Sequence, residues 1–577
     1  MPDGPSAVSF SRGAVWVSAE FGSRVVRIDP RRGVVVGSTP IGNRPEGLAT
    51  GDGGVWVTVQ ASGEGHRGGR LVAVGADYGA APASIDPASG PVLSVGGADP
   101  MYETLTSLRE VGGAAGTQIV PNLAAALPLP TAGGTRYTFH LRPGIRYSDG
   151  RPLRAADFRR ALARALELSQ SENIMQPFGH LAGAAGCIAH RRCDLSRSVI
   201  VQGPATLTFR LPAPDPDFFY ELMAIVPVPA GTPFRDVGTK AIPATGPYRI
   251  QSYVRSKLLT LVRNPYFHVW SAAARPDGYP DEIVYRTIKS QDAGFRNLLA
   301  GTADLLTASR QTPRLQDFAT RHPLQVHLVP KQATEFVFLN VRRPPFDDIR
   351  VRHALNYAVD RKRVAALRGA AFAQPTCQIV PPTVSGYRRY CRYTAAPDAS
   401  GDWKAPDLTR ARGLIRASGT SGQSIVVWSP SDFRRESQYL VALLRRLGYR
   451  ARMHSFPYWA AYEAALNKTP SAQAGFISWF GTSLAVDMLG TVGCDFQPNW
   501  MHFCDPRIDK RIARLGREEP TDPAGTAGRA AAIDREITNR APWVPLITPR
   551  FVDLTSARVG NYQQSGGADL LDQLWVR

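Results

Sequence analysis

The side chains best able to do chemistry are six cysteines in three local pairs: Cys187 with Cys193, Cys377 with Cys391, and Cys494 with Cys504. In the first pair, Cys187-x2-His190-x2-Cys193 supplies two thiols and an imidazole, ligands that suit zinc. No fourth ligand stands nearby, and Arg191-Arg192 put positive charge beside a would-be cation. An even count in close pairs points instead to short-loop disulfides and an oxidising compartment. No bond-making constellation accompanies them. The chain has no G-x-S-x-G elbow, no H-E-x-x-H, no P-loop and no G-x-G-x-x-G after a strand. Its ten histidines are scattered singly, and the adjacent carboxylates Asp347-Asp348 read as a helix cap. What concentrates instead is aromatic surface: Trp428, Tyr458, Trp459, Tyr462, Trp479 and Phe480. Large rings give apolar contact at low entropy cost, with a few polar groups to orient a ligand. The expected chemistry is non-covalent capture, with no enzymatic step, no metal and no cofactor.

The elements that position these residues centre on Phe336–Val364, FVFLNVRRPPFDDIRVRHALNYAVDRKRV. Its first residues suit a buried strand, which Pro344-Pro345 end. Asp347 or Asp348 then offers a cap. Val351, Ala354, Leu355, Ala358 and Val359 recur at helical spacing. Asp360 caps a further turn that Gly369 ends. Elsewhere, Tyr137, Phe139 and Leu141 alternate as a half-buried strand before the turn signal Asp149-Gly150. Phe158, Ala161, Leu162, Ala165 and Leu166 give an amphipathic helix, and Leu440, Leu443, Leu444 and Leu447 another, ended by Gly448.

The string from Asn340 to Arg361 resembles the NxxxPPFDDxRVRxALNYAxDR signature of family 5 solute-binding proteins, the extracytoplasmic receptors of peptide and nickel ABC importers. Further matches follow in the family's order: Asn122-Leu123-Ala124, YTFHLRPGIRYSDGRPLRAADF (Tyr137–Phe158), TGPYRI (Thr245–Ile250), LVRNPYF (Leu261–Phe267) and AGTADLL (Ala300–Leu306). The resemblance implies an α/β, two-lobed type II periplasmic-binding fold with an inserted third subdomain. Lobe I would take 70–332 and 540–577, with the insert at about 103–240, and lobe II would take 333–539. The two crossings near 330 and 540 would form the hinge. It also implies ligand contacts. Tyr102 lies in a segment similar to the family's early cleft-bordering one, and Trp428, Trp459, Trp479 and Phe480 fall in lobe II. Trp479 sits where the family carries W-x-x-D-Y. There this chain departs, because Thr482 stands where the family's ammonium-binding Asp would be and Ser483 replaces the Tyr. Asp487, five residues on, is the candidate to supply the missing charge.

Residues 5–17, PSAVSFSRGAVWV, recur at 45–57 as PEGLATGDGGVWV, an offset of 40 residues. That is the length of one propeller blade, and the string resembles the YVTN-type repeat. Residues 1–62 therefore read as a short all-β propeller remnant, and Gly-rich 63–69 as a linker. One blade and part of another do not close a ring.

At 577 residues the chain should form several structural units. It has no apolar run of spanning length, and MPDGPSAVSF shows neither the basic nor the apolar region of a signal peptide. The net charge of +20 arises from 68 basic and 48 acidic residues. Its arginines are dispersed, so nucleic acid is not an expected partner. The expected partners of this monomer are a small solute, a peptide by the resemblance, and the membrane subunits of an ABC importer. The expected location is extracytoplasmic. A second reading is a ligand-sensing module, since propeller and family 5 units together resemble the C-terminal halves of actinobacterial fusion proteins that begin with a transcriptional-activator domain.

Overall fold

The computed structural model describes residues 5–19, 24–41, 45–51, 53–59, 66–75, 84–89, 100–112, 116, 118–168, 172–190, 193–215, 217–308, 312–384, 386–481, 484–496, 498–519, 523–565 and 568–576. At the N-terminus, strands Pro5–Ser11, Ala14–Ala19, Arg24–Asp29 and Val34–Pro40 form an antiparallel sheet in chain order. Pro45–Gly51 and Gly54–Val59 then form a separate hairpin. The 40-residue repeat is visible in the turns: Gly13 and Gly53 both have positive φ (71° and 80°), which glycine adopts without strain. Ser9 Oγ and Thr50 Oγ1, 2.8 Å apart, join the two sheets.

Residues just beyond this segment are already fastened to the main body. The His66 ring stacks on Trp575 with centroids 4.2 Å apart, and Gly68 N donates to the Tyr279 carbonyl at 2.9 Å. Deleting residues 1–65 is therefore expected to shift the melting temperature by less than about 3 °C. A drop several times larger in a thermal scan would show that the N-terminal sheets are integral to the body.

The body is organised on one 12-stranded mixed sheet that runs through both lobes. On the lobe I side, Tyr248–Val254, Leu258–Arg263, Glu282–Thr287, Arg70–Gly75 and Leu305–Thr307 pair in that order. The sheet then passes through the 13-residue strand Trp543–Thr555 to the lobe II strands Ala333–Leu339, Ala474–Phe480, Ser424–Pro430 and Arg450–Phe456. The long strand crosses between lobes. Trp543 to Ile547 pair with Ala333–Leu339, whereas Arg550 to Leu554 pair with Val326–Pro330. The return crossing thus falls at Pro549–Arg550, opposite Lys331, whose N–H donates to the Pro549 carbonyl at 2.8 Å. Trp543, Val544, Leu546 and Ile547 are apolar and complete the lobe II core before the chain leaves it.

The expected strand, cap and helix of the central stretch are all present. Asp348 accepts from Arg350 N and caps Ile349–Ala358, and Asp360 accepts from Arg363 N and caps Arg361–Arg368 before Gly369. In the insert, Arg136–His140, Thr206–Arg210 and Val199–Val201 form a three-stranded sheet. Helix Ala155–Leu168 adds Phe158 and Leu162 to its core, with Phe139, Phe209 and Phe218. A buried ion pair, Arg164 Nη2 to Asp86 Oδ2 at 2.6 Å, ties that helix to the Ser84–Ser89 segment.

All six cysteines are disulfide-bonded, each to its neighbour in the chain. Cys187 is bonded to Cys193, six residues on. Cys377 is bonded to Cys391 across a separation of 14 residues, and Cys494 to Cys504 across 10. The expected pairing therefore holds at Cys391 and Cys504 as at the other four positions. The zinc alternative at Cys187, His190 and Cys193 is excluded, since both thiols are consumed. Among the described residues no helix is long and apolar enough to cross a membrane.

Candidate functional site

In lobe II the strands Ser424–Pro430, Arg450–Phe456 and Ala474–Phe480 run parallel, so their carboxyl ends lie together. Ala333 pairs with Phe480, which brings the lobe crossing at Lys331–Gln332 to that same end. The carboxyl ends of parallel strands are where open α/β sheets bind ligands, because the chain leaves a crevice there.

Trp479 and Phe480 occupy this end. Phe480 is 63% exposed, and Tyr458, just past the edge strand Arg450–Phe456, is 61% exposed. The Trp479 ring meets Phe496 edge-on at 5.4 Å, and its Nε1–H is buried with no acceptor among the described residues. Gln332 stands two residues before Thr334, the partner of Trp479 in the ladder, so the two side chains share a sheet face. Its Nε2 is likewise buried without an acceptor among the described residues. Gly481 follows, its N–H donating to the Gln332 carbonyl at 2.8 Å. A Cβ at Gly481 would lie 3.5 Å from Asp487 Oδ2, so the Asp487 carboxylate sits beside the end of this strand. Two donors without an acceptor among the described residues and a carboxylate therefore lie at one end of the sheet.

Asp487 belongs to the short helix Ala485–Gly490. Glu519 fastens that helix by accepting from Ala485 N and Val486 N, each at 2.9 Å. Asp217 and Tyr220 of the insert lie within electrostatic reach of Asp487, and Asp215 and Glu221 neighbour Asp217. Burial, with the charges of Asp487, Asp215 and Glu519, pushes Asp217 up to about 7. Burial raises Glu519 to about 7 against its two N–H donors, with Asp487 adding to the rise. Burial and the neighbouring Asp215 and Asp217 raise Glu221 to about 9. Tyr220 is raised by burial, then by Asp487 and Asp217. Asp217 Oδ1 and Glu221 Oε2 are buried with no donor among the described residues. The charged groups acting on Asp217 among the described residues, Asp487, Asp215 and Glu519, are all acidic. A cationic group would relieve their repulsion.

The other sequence-derived candidates sit elsewhere. Trp428 stacks on His454 (4.9 Å, 8°) and Phe456 (5.2 Å, 26°), half-buried against the lobe II core. Trp459 packs on Tyr462, whose ring is fully buried and whose hydroxyl donates to the Phe476 carbonyl at 2.9 Å. Tyr102 is enclosed in lobe I, its hydroxyl donating to the Ile242 carbonyl at 3.1 Å. Thr482 and Ser483 lie outside the described residues. Sequence reasoning missed Gln332, Asp217, Tyr220, Glu221 and Glu519. Only the acidic doublets Asp215-Pro216-Asp217 and Glu518-Glu519 signalled them in the chain.

Comparison with known proteins agrees with this architecture. A family model described as bacterial extracellular solute-binding proteins, family 5 Middle, matches residues 118–487. The oligopeptide-binding protein OppA of Salmonella typhimurium is 24% identical over 458 residues, 76% of this chain and 81% of that protein. The probable deoxycholate-binding periplasmic protein YgiS of Escherichia coli is 27% identical over 269 residues; the match spans 44% of this chain and only 48% of YgiS. Among solved structures, the periplasmic murein tripeptide binding protein MppA, in an unliganded open form, superposes with a TM-score of 0.73 at 20% identity. That alignment covers 88% of this chain and 97% of MppA. Clavulanic acid biosynthesis oligopeptide binding protein 2 gives 0.72 at 23% identity, covering 89% and 96%. The fold is the two-lobed type II periplasmic-binding fold, and the chain belongs to family 5 of the bacterial extracellular solute-binding proteins.

Proposed function

We propose that this protein captures a small peptide outside the cytoplasm by closing its lobes over it, and delivers it to the membrane subunits of an ABC importer. The observation that carries the peptide reading is the set of polar atoms at one end of the cleft that have no partner among the described residues. Trp479 Nε1 and Gln332 Nε2 can donate to a carbonyl or carboxylate oxygen, and the acidic edge at Asp217 and Asp487 suits an ammonium. An extended zwitterion with amide groups matches both. The named peptide binders among the relatives and structural neighbours support the same solute class. The three disulfides fit an oxidising compartment outside the cytoplasm. The N-terminal repeat unit is, in this reading, a piece of β-propeller carried beside the receptor.

Titration calorimetry with di- to pentapeptides tests the reading, with small-angle scattering to follow closure. Binding tighter than about 100 μM together with a fall in radius of gyration is expected. Heats indistinguishable from dilution for all of them, with unchanged scattering, would refute the peptide assignment.

A further inference from the structure

The C-terminal residues fold back onto the lobe-crossing strand through a buried polar cluster that solute capture does not use. Gln564–Ser565 pairs with Ala568–Asp569 as a short hairpin, and Tyr562 stands just before it. The Tyr562 hydroxyl oxygen lies 2.8 Å from Asp553 Oδ2, on the crossing strand, and 2.9 Å from Asp569 Oδ1, on the hairpin. Both carboxyls are buried, with 1% and 6% exposure. A phenol carries one proton, so it donates to one carboxylate at a time. Two ionised carboxylates held this close in a dry setting repel each other. A proton on one carboxyl resolves both problems: that acid donates to the phenol oxygen while the phenol donates to the other carboxylate.

We infer that Asp553, Tyr562 and Asp569 retain a shared proton and form a latch that holds the C-terminal hairpin to the lobe-crossing strand only while that proton is present. The surroundings bear on this from every side. Gln564 Nε2 donates to Asp569 Oδ1 at 3.3 Å, while Gln564 Oε1 and Asp553 Oδ1 are buried without a donor among the described residues. The His327 ring stacks on Tyr562 at 3.8 Å and 15°, with Nε2 3.0 Å from Thr555 Oγ1. Burial holds His327 down at about 4, so it is neutral and supplies no charge. Among the described residues Lys331 is the cation acting on Asp553, and burial lowers its own pKa. Thr307 also hydrogen-bonds Asp553. Burial raises both carboxyls, and Asp553 pushes Asp569 further.

Carboxyls raised in the folded state contribute stability that is fully present below their unfolded pKa and is lost as pH rises through the folded pKa. The latch is therefore closed at low pH and released as pH rises through the raised carboxyl range. Given the two-lobed capture proposed above, release would remove the hairpin's hold on the crossing strand, which stays paired with Leu305–Thr307 and Val326–Pro330.

Two measurements without solute test the latch, so their outcome is independent of the peptide assignment. Infrared difference spectra at neutral pH, wild type minus Asp569→Asn and wild type minus Asp553→Asn, should contain a protonated-carboxyl C=O band. Hydrogen exchange of residues 568–576, corrected for intrinsic rates, should lose at least about tenfold protection as pH is raised from the acid to the alkaline side in the wild type. It should stay flat in Asp569→Asn, where an amide N–H replaces the acid O–H; Asp553→Asn serves the same purpose if that variant misfolds. No C=O band in either difference spectrum, or equal pH slopes in wild type and variant, would overturn the proposal.

Discussion

Asp487→Asn is expected to weaken binding of a peptide with a free amino terminus by about tenfold to a hundredfold, roughly 1.4–2.7 kcal/mol. The carboxylate lies beside Gly481 and within electrostatic reach of Asp217 and Tyr220 of the insert, so it stands where a bound ammonium would offset several acidic groups. The same peptide with an acetylated terminus should bind the wild type less tightly by a similar factor and should not distinguish wild type from variant. Calorimetry on the four combinations isolates the coupling. The pH dependence has a definite sign. Asp217 and Glu519 are raised to about 7 and attract a cation only when ionised, so affinity for the free amine should fall as pH drops through about 7. The capped peptide should show no such fall. Equal losses for free and capped peptides in Asp487→Asn would mean that the carboxylate acts through the fold and not on the ammonium.

Arg361→Met is expected to lower unfolding free energy by about 3–5 kcal/mol, because it strands the buried carbonyls that the guanidinium serves. Arg361 is fully buried and has no carboxylate partner among the described residues. Its Nε donates to the Thr376 and Pro545 carbonyls, each at 2.8 Å, and its Nη1 to the Asn356 carbonyl at 3.1 Å. Burial lowers its pKa to about 10, still high enough to keep it charged at neutral pH. One guanidinium thus joins the helix it begins, the preceding helix Ile349–Ala358, the segment just before Cys377 and the crossing strand. Urea denaturation measures the cost. A change below about 1 kcal/mol would show that water or a rearranged loop replaces the guanidinium. Solute affinity in the surviving folded fraction should be little changed, since Arg361 belongs to the lobe II interior.

The sequence alone determined what short range controls. Asp348 and Asp360 cap their helices through N–H groups two or three residues away, so type and spacing sufficed to place both helix starts. Cys193, Cys391 and Cys504 each bond the cysteine that precedes them in the chain, because a short loop leaves each thiol one near partner. The 40-residue repeat reappears as matching glycine turns. The long PPFDD string carried the fold because its residues make that local geometry. Tertiary structure decided the rest. Whether Trp543 to Ile547 belonged to one lobe or the other depended on which core had room for them, and periodicity carries no such information. Tyr102 and Trp479 looked alike as candidate ligand contacts, yet one hydroxyl is satisfied inside lobe I and one indole N–H has no acceptor among the described residues at the cleft. Asp217 comes within electrostatic reach of Asp487, and Gln332 stands at the strand end that carries Trp479, only because the insert and the crossing strands bring distant segments together. Burial sets the protonation of such carboxylates, and burial belongs to the packed molecule and to no stretch of its chain.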